Sequence, residues 1–366
     1  MSESKRHLVV LFGGQSAEHE VSVTSARSML GEINRERYDI TLVGITREGK
    51  WIQVDESSNA LVRGTVESDA SATVLVDHGE GGLLRERPDG GFDKINVDIV
   101  FPLLHGPHGE DGTVQGLLEL AGIATVGSGV AGSAVGMDKE LTKRVFRAEG
   151  LPQVEHATIR RARWRERAEE VLVELEGRLG WPIFVKPARL GSSVGVNRAN
   201  DKESLRAALD DAARFDTKII VEAAAINCAE VECAVLGHED PIASVVGEIV
   251  PTGDFYDYEA KYVSDDAELR IPAQISDQAA AEVQQLAVSA FRAVGASGLA
   301  RVDFFVNHDD GSVLLNEINT IPGFTPISMY PKLWEESGIP YAELIDKLID
   351  FAIARHVDKL DTSYSR

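Results

Sequence analysis

Arg301 and Asp303 stand two residues apart in the run Leu299 to Val306, and Glu317 and Asn319 two apart in Val313 to Asn319. Side chains alternate across a strand, so Arg301 and Asp303 share one face while Val302, Phe304 and Val306 share the other. Between the runs lies Asp310-Gly311, a hairpin signal. A turn centred there sets Asp303 opposite Glu317 and brings three oxygen-bearing side chains to one point. Magnesium takes one or two carboxylates plus substrate phosphates, so Asp303, Glu317 and Asn319 form a suitable ligand set. From these residues alone, a plain hairpin with one solvated polar face is equally open.

Lys186 ends the apolar strand Trp181 to Pro187 and precedes Gly191-Ser192-Ser193-Val194-Gly195. Amides of such a loop can wrap a polyphosphate while the lysine supplies charge, and Lys139 offers a second cation. The loop lacks the GxxxxGK[ST] spacing of a Walker P-loop, and a flexible connection is the other reading. The end of Ile220-Val221-Glu222 could offer backbone groups to an adenine. Near the N-terminus, Gly13-Gly14-Gln15-Ser16-Ala17-Glu18-His19-Glu20 follows the first strand, where ligands bind in open α/β sheets. Its acids suit an ammonium ion, or else cap a helix. His105 and His108 lie in a Gly-rich loop with no helix to aim both rings, so zinc is rejected.

Elements must position these groups. The continuous apolar run Leu8 to Phe12, closed by Gly13-Gly14, predicts a strand buried on both faces of a parallel sheet. Ala26, Met29, Leu30 and Ile33 give the next helix its inward stripe. Strands at 40–45 and 97–104 extend an open sheet over residues 1 to about 125, with 55–95 read as a surface connection. Leu141, Val145 and Phe146 predict a helical stripe, 160–180 one charged amphipathic helix, and Asn200-Asp201-Lys202-Glu203 a capping box. Strands at 218–222 and 230–236 close that middle unit. Val283, Leu286, Ala287, Ala290, Phe291 and Val294 mark a long helix before the hairpin.

The 366 residues leave room for two or three domains with a cleft between them. Lys and Arg number 37 against 59 Asp and Glu, a net charge of −22 that repels a phosphate backbone and argues against nucleic acid. Two cysteines, Cys228 and Cys233, make no disulfide framework. The opening apolar run is too short for a signal core, and no run of about 18 apolar residues spans a membrane. A cytoplasmic enzyme is the expectation.

In order along the chain, seven stretches resemble the D-alanine-D-alanine ligases of the ATP-grasp superfamily. They are Gly13 to Glu18; His105-Gly106 with Gly109 to Thr113; Met137-Asp138-Lys139; Lys186 to Gly195; Phe255 to Tyr262; Arg301-Val302-Asp303; and Asn316 to Gly323. The resemblance implies α/β and α+β classes in a three-domain ATP-grasp architecture with an N-terminal open parallel sheet. Its domains are 1–130, binding the first D-alanine, 131–225, a central lid, and 226–366, carrying the magnesium site. Lys139, Lys186, Ser193, Glu222, Glu230 and Asn316 match the nucleotide-binding set; an apparent extra residue before Glu230 sets it off from the usual ribose-binding spacing. Asp303, Glu317 and Asn319 match the metal ligands, for two magnesium ions, with manganese as a substitute and room for a monovalent cation. Glu18, linked through Ser192 to Tyr262, matches the holder of the first D-alanine's ammonium. Arg301 and Gly323 join them as catalytic groups, and His105, Lys261 and Ser328 as substrate groups. A homodimer is the family's usual assembly.

The implied reaction activates a carboxylate with ATP as an acyl phosphate, which an amine attacks to give D-alanyl-D-alanine for peptidoglycan. A lid keeps water from the intermediate. The Lys261-Tyr262 pair resembles the peptide-forming branch, with D-alanyl-D-lactate synthesis or another carboxylate-amine ligation as the alternative. A Rossmann oxidoreductase fails because Gly13-Gly14 lacks the spaced third glycine. A noncatalytic nucleotide-binding module would not need an arginine and an ammonium-binding acid beside a metal triad.

Overall fold

The computed structural model describes residues 5–57, 59–67, 72–77, 81–192, 194–251 and 267–363. Strand β1 (Arg6–Gly13) is followed by α1 (His19–Glu32), β2 (Tyr38–Ile45) and β3 (Trp51–Val54). Then come α2 (Asn59–Arg63), β4 (Val74–Val76), β5 (Leu83–Glu86), β6 (Phe92–Ile95), β7 (Ile99–Pro102), α3 (Thr113–Leu120) and β8 (Ala124–Thr125). The first sheet runs β3-β2-β1-β7-β8, parallel except for the antiparallel edge strand β3. Central β1 is buried on both faces, which is why its sequence is unbroken apolar. Leu8, Val10 and Phe12 face one core, and Val9 and Leu11 another.

The stretch read as a mere connection holds α2 and a separate three-stranded antiparallel sheet, β4-β5-β6, bridged to β3 through Ile52 and Thr73. Its strands are three or four residues long with one or two inward apolar side chains each, too short for a period to stand out.

The middle of the chain holds α4 (Val130–Met137), α5 (Lys139–Ala148), β9 (His156–Arg160), α6 (Arg161–Glu166) and α7 (Ala168–Leu179). It continues through β10 (Ile183–Pro187), β11 (Asn197–Ala199), α8 (Lys202–Phe215) and β12 (Lys218–Ala223). The antiparallel sheet β11-β10-β12-β9 has its own core with α7 and α8. The single helix expected over 160–180 is two helices: Arg167 leaves the helical region at φ −137°, and Trp164 turns inward to donate to Asp210 at 2.8 Å. Asp201 caps α8 in a capping box closed by Ser204 rather than Glu203. On α5 Leu141 is exposed, and the buried face carries Glu140, Thr142, Lys143 and Phe146. Phe146 is fully buried in the core of the third sheet and Val145 packs against it, as the stripe predicts, whereas Leu141 faces out because Glu140 and Lys143 turn into a polar cleft.

The last third holds β13 (Cys228–Gly237), β14 (Ile242–Pro251), β15 (Ala267–Arg270), α9 (Asp277–Ala293), β16 (Gly298–Asn307), β17 (Val313–Asn319), α10 (Met329–Glu336) and α11 (Tyr341–Leu360). Strand β13 does not close the middle unit: it pairs with β14 and β16 in the third sheet, β15-β14-β13-β16-β17, all antiparallel. One face of this sheet is covered by α9, on the stripe predicted for it. The other face shares a core with α1, β1 and β7 of the first sheet, and α10 and α11 fill the space between.

Leu348 of α11 is fully buried in that shared core. Leu348→Ala is expected to cost about 2–5 kcal/mol through lost burial and a cavity. A shift in the chemical unfolding midpoint checks it, and a change below about 1 kcal/mol would make α11 a peripheral helix.

Candidate active site

Chemistry-bearing residues gather where the three large sheets meet. On the polar face of the third sheet, register sets Asp303 opposite Glu317 and Arg301 opposite Asn319, with a bulge just after Asp303. The Arg301 guanidinium grips both Asp303 oxygens, Nε to Oδ1 and Nη2 to Oδ2, each at 2.8 Å. Its Nε also lies 3.0 Å from Oε2 of Glu232, which sits opposite Asp303 from β13. Asn319 Nδ2 donates to Asp303 at 3.2 Å. Among the described residues no three His, Cys, Asp or Glu side chains stand close enough to cage a metal by themselves. Asp303, Glu317 and Asn319 do fit a hard cation, since all three offer oxygen from neighbouring positions of one sheet face. The two acids now lean on protein cations instead.

Arg301 serves Asp303 from the same strand, and further cations come from α5 and β10. Lys139 Nζ lies 3.5 Å from Glu317 Oε2 and donates to the Leu190 carbonyl at 2.9 Å. Lys186 Nζ lies 2.7 Å from Glu222 Oε2 and 3.4 Å from Asn316 Oδ1. A third lysine, Lys143, is only 2% exposed and pairs with the other Glu222 oxygen at 2.6 Å. Burial works against ionised Glu222, but the two ammonium groups outweigh it and hold the carboxyl down at about 2. Burial likewise pulls Lys143 down, only partly offset by Glu222, whereas for Lys186 the surrounding acids prevail and raise it. A helical position four after Lys139 was the sequence signal for Lys143. Its apolar neighbours Leu141, Val145 and Phe146 dominate the helix's pattern. Glu232 was masked in the same way, inside a strand with apolar neighbours.

The first sheet supplies the opposing wall. Gly13 ends β1 at φ +91°, where a Cβ would stand 2.3 Å from the Ile45 carbonyl, so only glycine makes this turn. Ser22 and His19 of α1 brace it: Ser22 Oγ accepts from Gly13 N at 2.7 Å, and His19 Nδ1 meets the Gly14 carbonyl at 2.7 Å. Glu18, thereby placed, is buried and accepts a hydrogen bond from Ser192 Oγ of the small-residue loop. Ser192 holds φ +51°, a left-handed conformation costing about 1–2 kcal/mol, while its hydroxyl reaches across to Glu18.

His105 is buried after β7, its Nδ1 3.1 Å from the Ile321 carbonyl beyond β17. A carbonyl only accepts, so Nδ1 carries the proton, and burial keeps the ring neutral by lowering its affinity for a second. Glu110, quoted in a motif but given no role, accepts from Gly106 N at 2.6 Å. Burial, with the charge of Glu18 beside it, raises its carboxyl to about 8. Gly106 at φ +77° lets the chain pass Glu18, whose Oε2 a Cβ would approach at 3.0 Å.

The other expected residues are less gathered. Ser328 stands at the N-cap position of α10 with its Oγ turned away from the helix to 2.8 Å from Thr325 Oγ1, and a Cβ on Gly323 would come 2.9 Å from Ser328 Oγ. Glu230 is exposed on β13, paired in register with Ile249 and Phe305. Ser193, Lys261 and Tyr262 lie outside the described residues.

Two family models match the chain: the D-ala D-ala ligase N-terminus over residues 7–128 and the D-ala D-ala ligase C-terminus over residues 145–350. The D-alanine-D-alanine ligase of Ruminiclostridium cellulolyticum is 49% identical across 97% of this chain and 97% of its own. That of Acetivibrio thermocellus is 48% identical across 97% and 98%. Among solved structures, the D-alanine-D-alanine ligase from Coxiella burnetii superposes with a TM-score of 0.84 at 38% identity, covering 97% of this chain and 96% of that one. The VanG D-Ala:D-Ser ligase from Enterococcus faecalis gives 0.85 at 37%, covering 95% and 100%.

Glu110 yields a pH prediction. Its folded value of about 8 exceeds the ordinary 4.5, so the native state holds the proton more tightly. Its contribution to stability is present below about pH 4.5 and is lost as pH rises through 8. Glu110→Gln cannot titrate, so the fall in thermal midpoint between pH 5 and pH 8.5, without ligands, should be smaller in the variant. Parallel pH slopes would sink the assignment.

Proposed function

Because the chain belongs to the D-alanine-D-alanine ligase family, and so joins two D-alanines with ATP and a divalent metal for cell-wall synthesis, we propose a division of that work among its residues. Its fold is that of the ATP-grasp ligases, α/β and α+β, with a largely parallel N-terminal sheet. The observation that carries the proposal is the meeting of Lys139 and Lys186 with Glu317 and Asn316 in the cleft between the second and third sheets.

Lys139 and Lys186 receive the phosphates, the loop with Ser193 closes over them, and the end of β12 at Glu222 lies along the base. Asn316 orients Lys186, and Glu230 reaches the ribose. Asp303, Glu317 and Asn319 would hold two magnesium ions, and the ions would supply charge neutralisation for phosphoryl transfer. Manganese would substitute, and a monovalent cation has a place beside them. Across the cleft, Glu18 takes the first D-alanine's ammonium and neutral His105 stands by its carboxylate. Arg301, fixed by Asp303 and Glu232, faces the charge that grows on the reacting carboxyl, beside the bare backbone of Gly323. The carboxylate oxygen attacks the terminal phosphorus of ATP, ADP leaves, and the acyl phosphate is attacked by the second D-alanine's amine, releasing phosphate. Ser328 and Lys261 hold the second carboxylate. Tyr262 joins Ser192 and Glu18 in clamping the lid, which excludes water. The charge balance and cysteine usage support a cytoplasmic enzyme, and the family resemblance a homodimer.

Glu317→Gln is expected to abolish ADP release while thermal unfolding stays cooperative; near-normal kcat at saturating magnesium would remove Glu317 from the metal site. Arg301→Ala should lower kcat on the order of 10²-fold, the cost of one lost donor to a developing oxyanion. A change confined to KM would make it a ground-state contact. The acceptor is D-alanine: with equal D-alanine, D-serine and D-lactate at neutral pH, mass spectrometry should find D-alanyl-D-alanine in excess. Predominant D-alanyl-D-serine would align this chain with the VanG-like relative, and predominant D-alanyl-D-lactate with the ester-forming alternative.

A further inference from the structure

The cleft pairs four cations with four acids: Lys139 with Glu317, Arg301 with Asp303 and Glu232, and both Lys143 and Lys186 with Glu222. Ligands will disturb these pairs unequally. An acid that binds a metal ion keeps a counter-charge when its lysine turns to phosphate, and this serves Glu317 and Asp303. Glu222 has no such replacement. It lies buried on β12 in the second sheet, opposite Phe184 and His156, and not on the face of the third sheet that carries Asp303, Glu317 and Asn319. Once Lys186 turns from Glu222 to a phosphate, Lys143 is, among the described residues, the lysine that remains against it. A buried carboxylate stripped of its partner is strongly destabilised, and that penalty would oppose nucleotide binding.

Lys143 is built to stay. It lies on the buried face of α5, one turn before fully buried Phe146, and its carbonyl is held by Gln153 Nε2 at 2.9 Å. Its ammonium touches the Glu222 oxygen that Lys186 does not use. We propose that Lys143 is a positioning residue for the nucleotide site, the permanent counter-ion of Glu222 whose presence frees Lys186 to exchange its carboxylate for a phosphate. This rests on the reading of Lys186 as a nucleotide ligand.

The competition is one carboxylate between two lysines. In Lys143→Met, Glu222 holds Lys186 alone and tightly, so ADP binding by calorimetry and KM for ATP should both weaken by about tenfold or more, with kcat at saturating ATP changed far less. Lys143→Arg keeps a cation and should retain most of the affinity. The deciding variant is Lys143→Met combined with Glu222→Gln: a neutral amide no longer captures Lys186, so most of the lost affinity should return. A lysine that only fills space would give no such rescue. Unchanged ADP affinity in Lys143→Met, or no recovery in a double variant whose thermal midpoint matches the single one, overturns the proposal. If Lys143→Met does not fold, the comparison passes to Lys143→Arg and Lys143→Gln, where loss only in the neutral variant supports it and equal loss in both overturns it. Lys186→Met is the control for the premise: unaltered ADP affinity there would refute Lys186 as a nucleotide ligand.

Discussion

Four side chains of α11, Leu344, Ile345, Leu348 and Ile349, are fully buried between the first and third sheets, and the relative placing of those sheets depends on them. Burying each contributes about 1.5–3 kcal/mol, so the seam is among the most strongly held parts of the molecule. The first sheet delivers Glu18, His105 and Glu110 from the ends of β1 and β7, and the third delivers Arg301, Asp303 and Glu317 from β16 and β17. Without the shared core the two sets would not face each other. The polar contact of His105 with the Ile321 carbonyl, at 3.1 Å, ties the two sheets again at the seam's rim.

Joins to the second sheet are of another kind. Its apolar core is its own, built from residues between Ala157 and Val221. In the cleft its links to the other sheets are polar: Ser192 to Glu18, Lys186 to Asn316, and Lys139, bound to Leu190, to Glu317. Such part-buried polar contacts can be exchanged one for one with a ligand's charges, which a shared apolar core cannot. A lid that must admit ATP and then exclude water is physically reasonable on such joins and would not be on the α11 seam.

Electrostatics explains how a chain of net charge −22 can take an anionic nucleotide and the carboxylates of its amino acids. Four cations gather in one cleft and are stored against acids, so none stands buried and unpaired in the resting structure. The acids differ in what frees them. Those suited to a metal can exchange one cation for another, whereas Glu222 needs a partner that never leaves. A cluster read only as salt bridges would miss that difference, because stability alone gives no reason for two lysines on one carboxylate.

Much of this was legible in the residues themselves. Strand alternation placed Arg301 with Asp303 and Glu317 with Asn319, and the turn at Asp310-Gly311 set the register, because both are local rules of backbone geometry. Unbroken apolar runs marked β1 and the strand carrying Lys186, and ordered motifs carried the family. Local rules failed where a neighbour distant in sequence decided the outcome. Lys143 and Glu232 are buried because Glu222 and Arg301 from other elements receive them; the spacing from Lys139 aims Lys143 at the same side of α5, but no local pattern says that a buried acid waits there. Strand β13 left the middle unit because ten residues of β16 pair with it. Glu110 titrates abnormally because burial and Glu18, ninety-two positions earlier, share its space. The sequence by itself determined which side chains could bind phosphate, metal and ammonium. Only the tertiary structure decided which of those charges face one another, because Coulomb energy depends on distance and burial, which a chain acquires by folding.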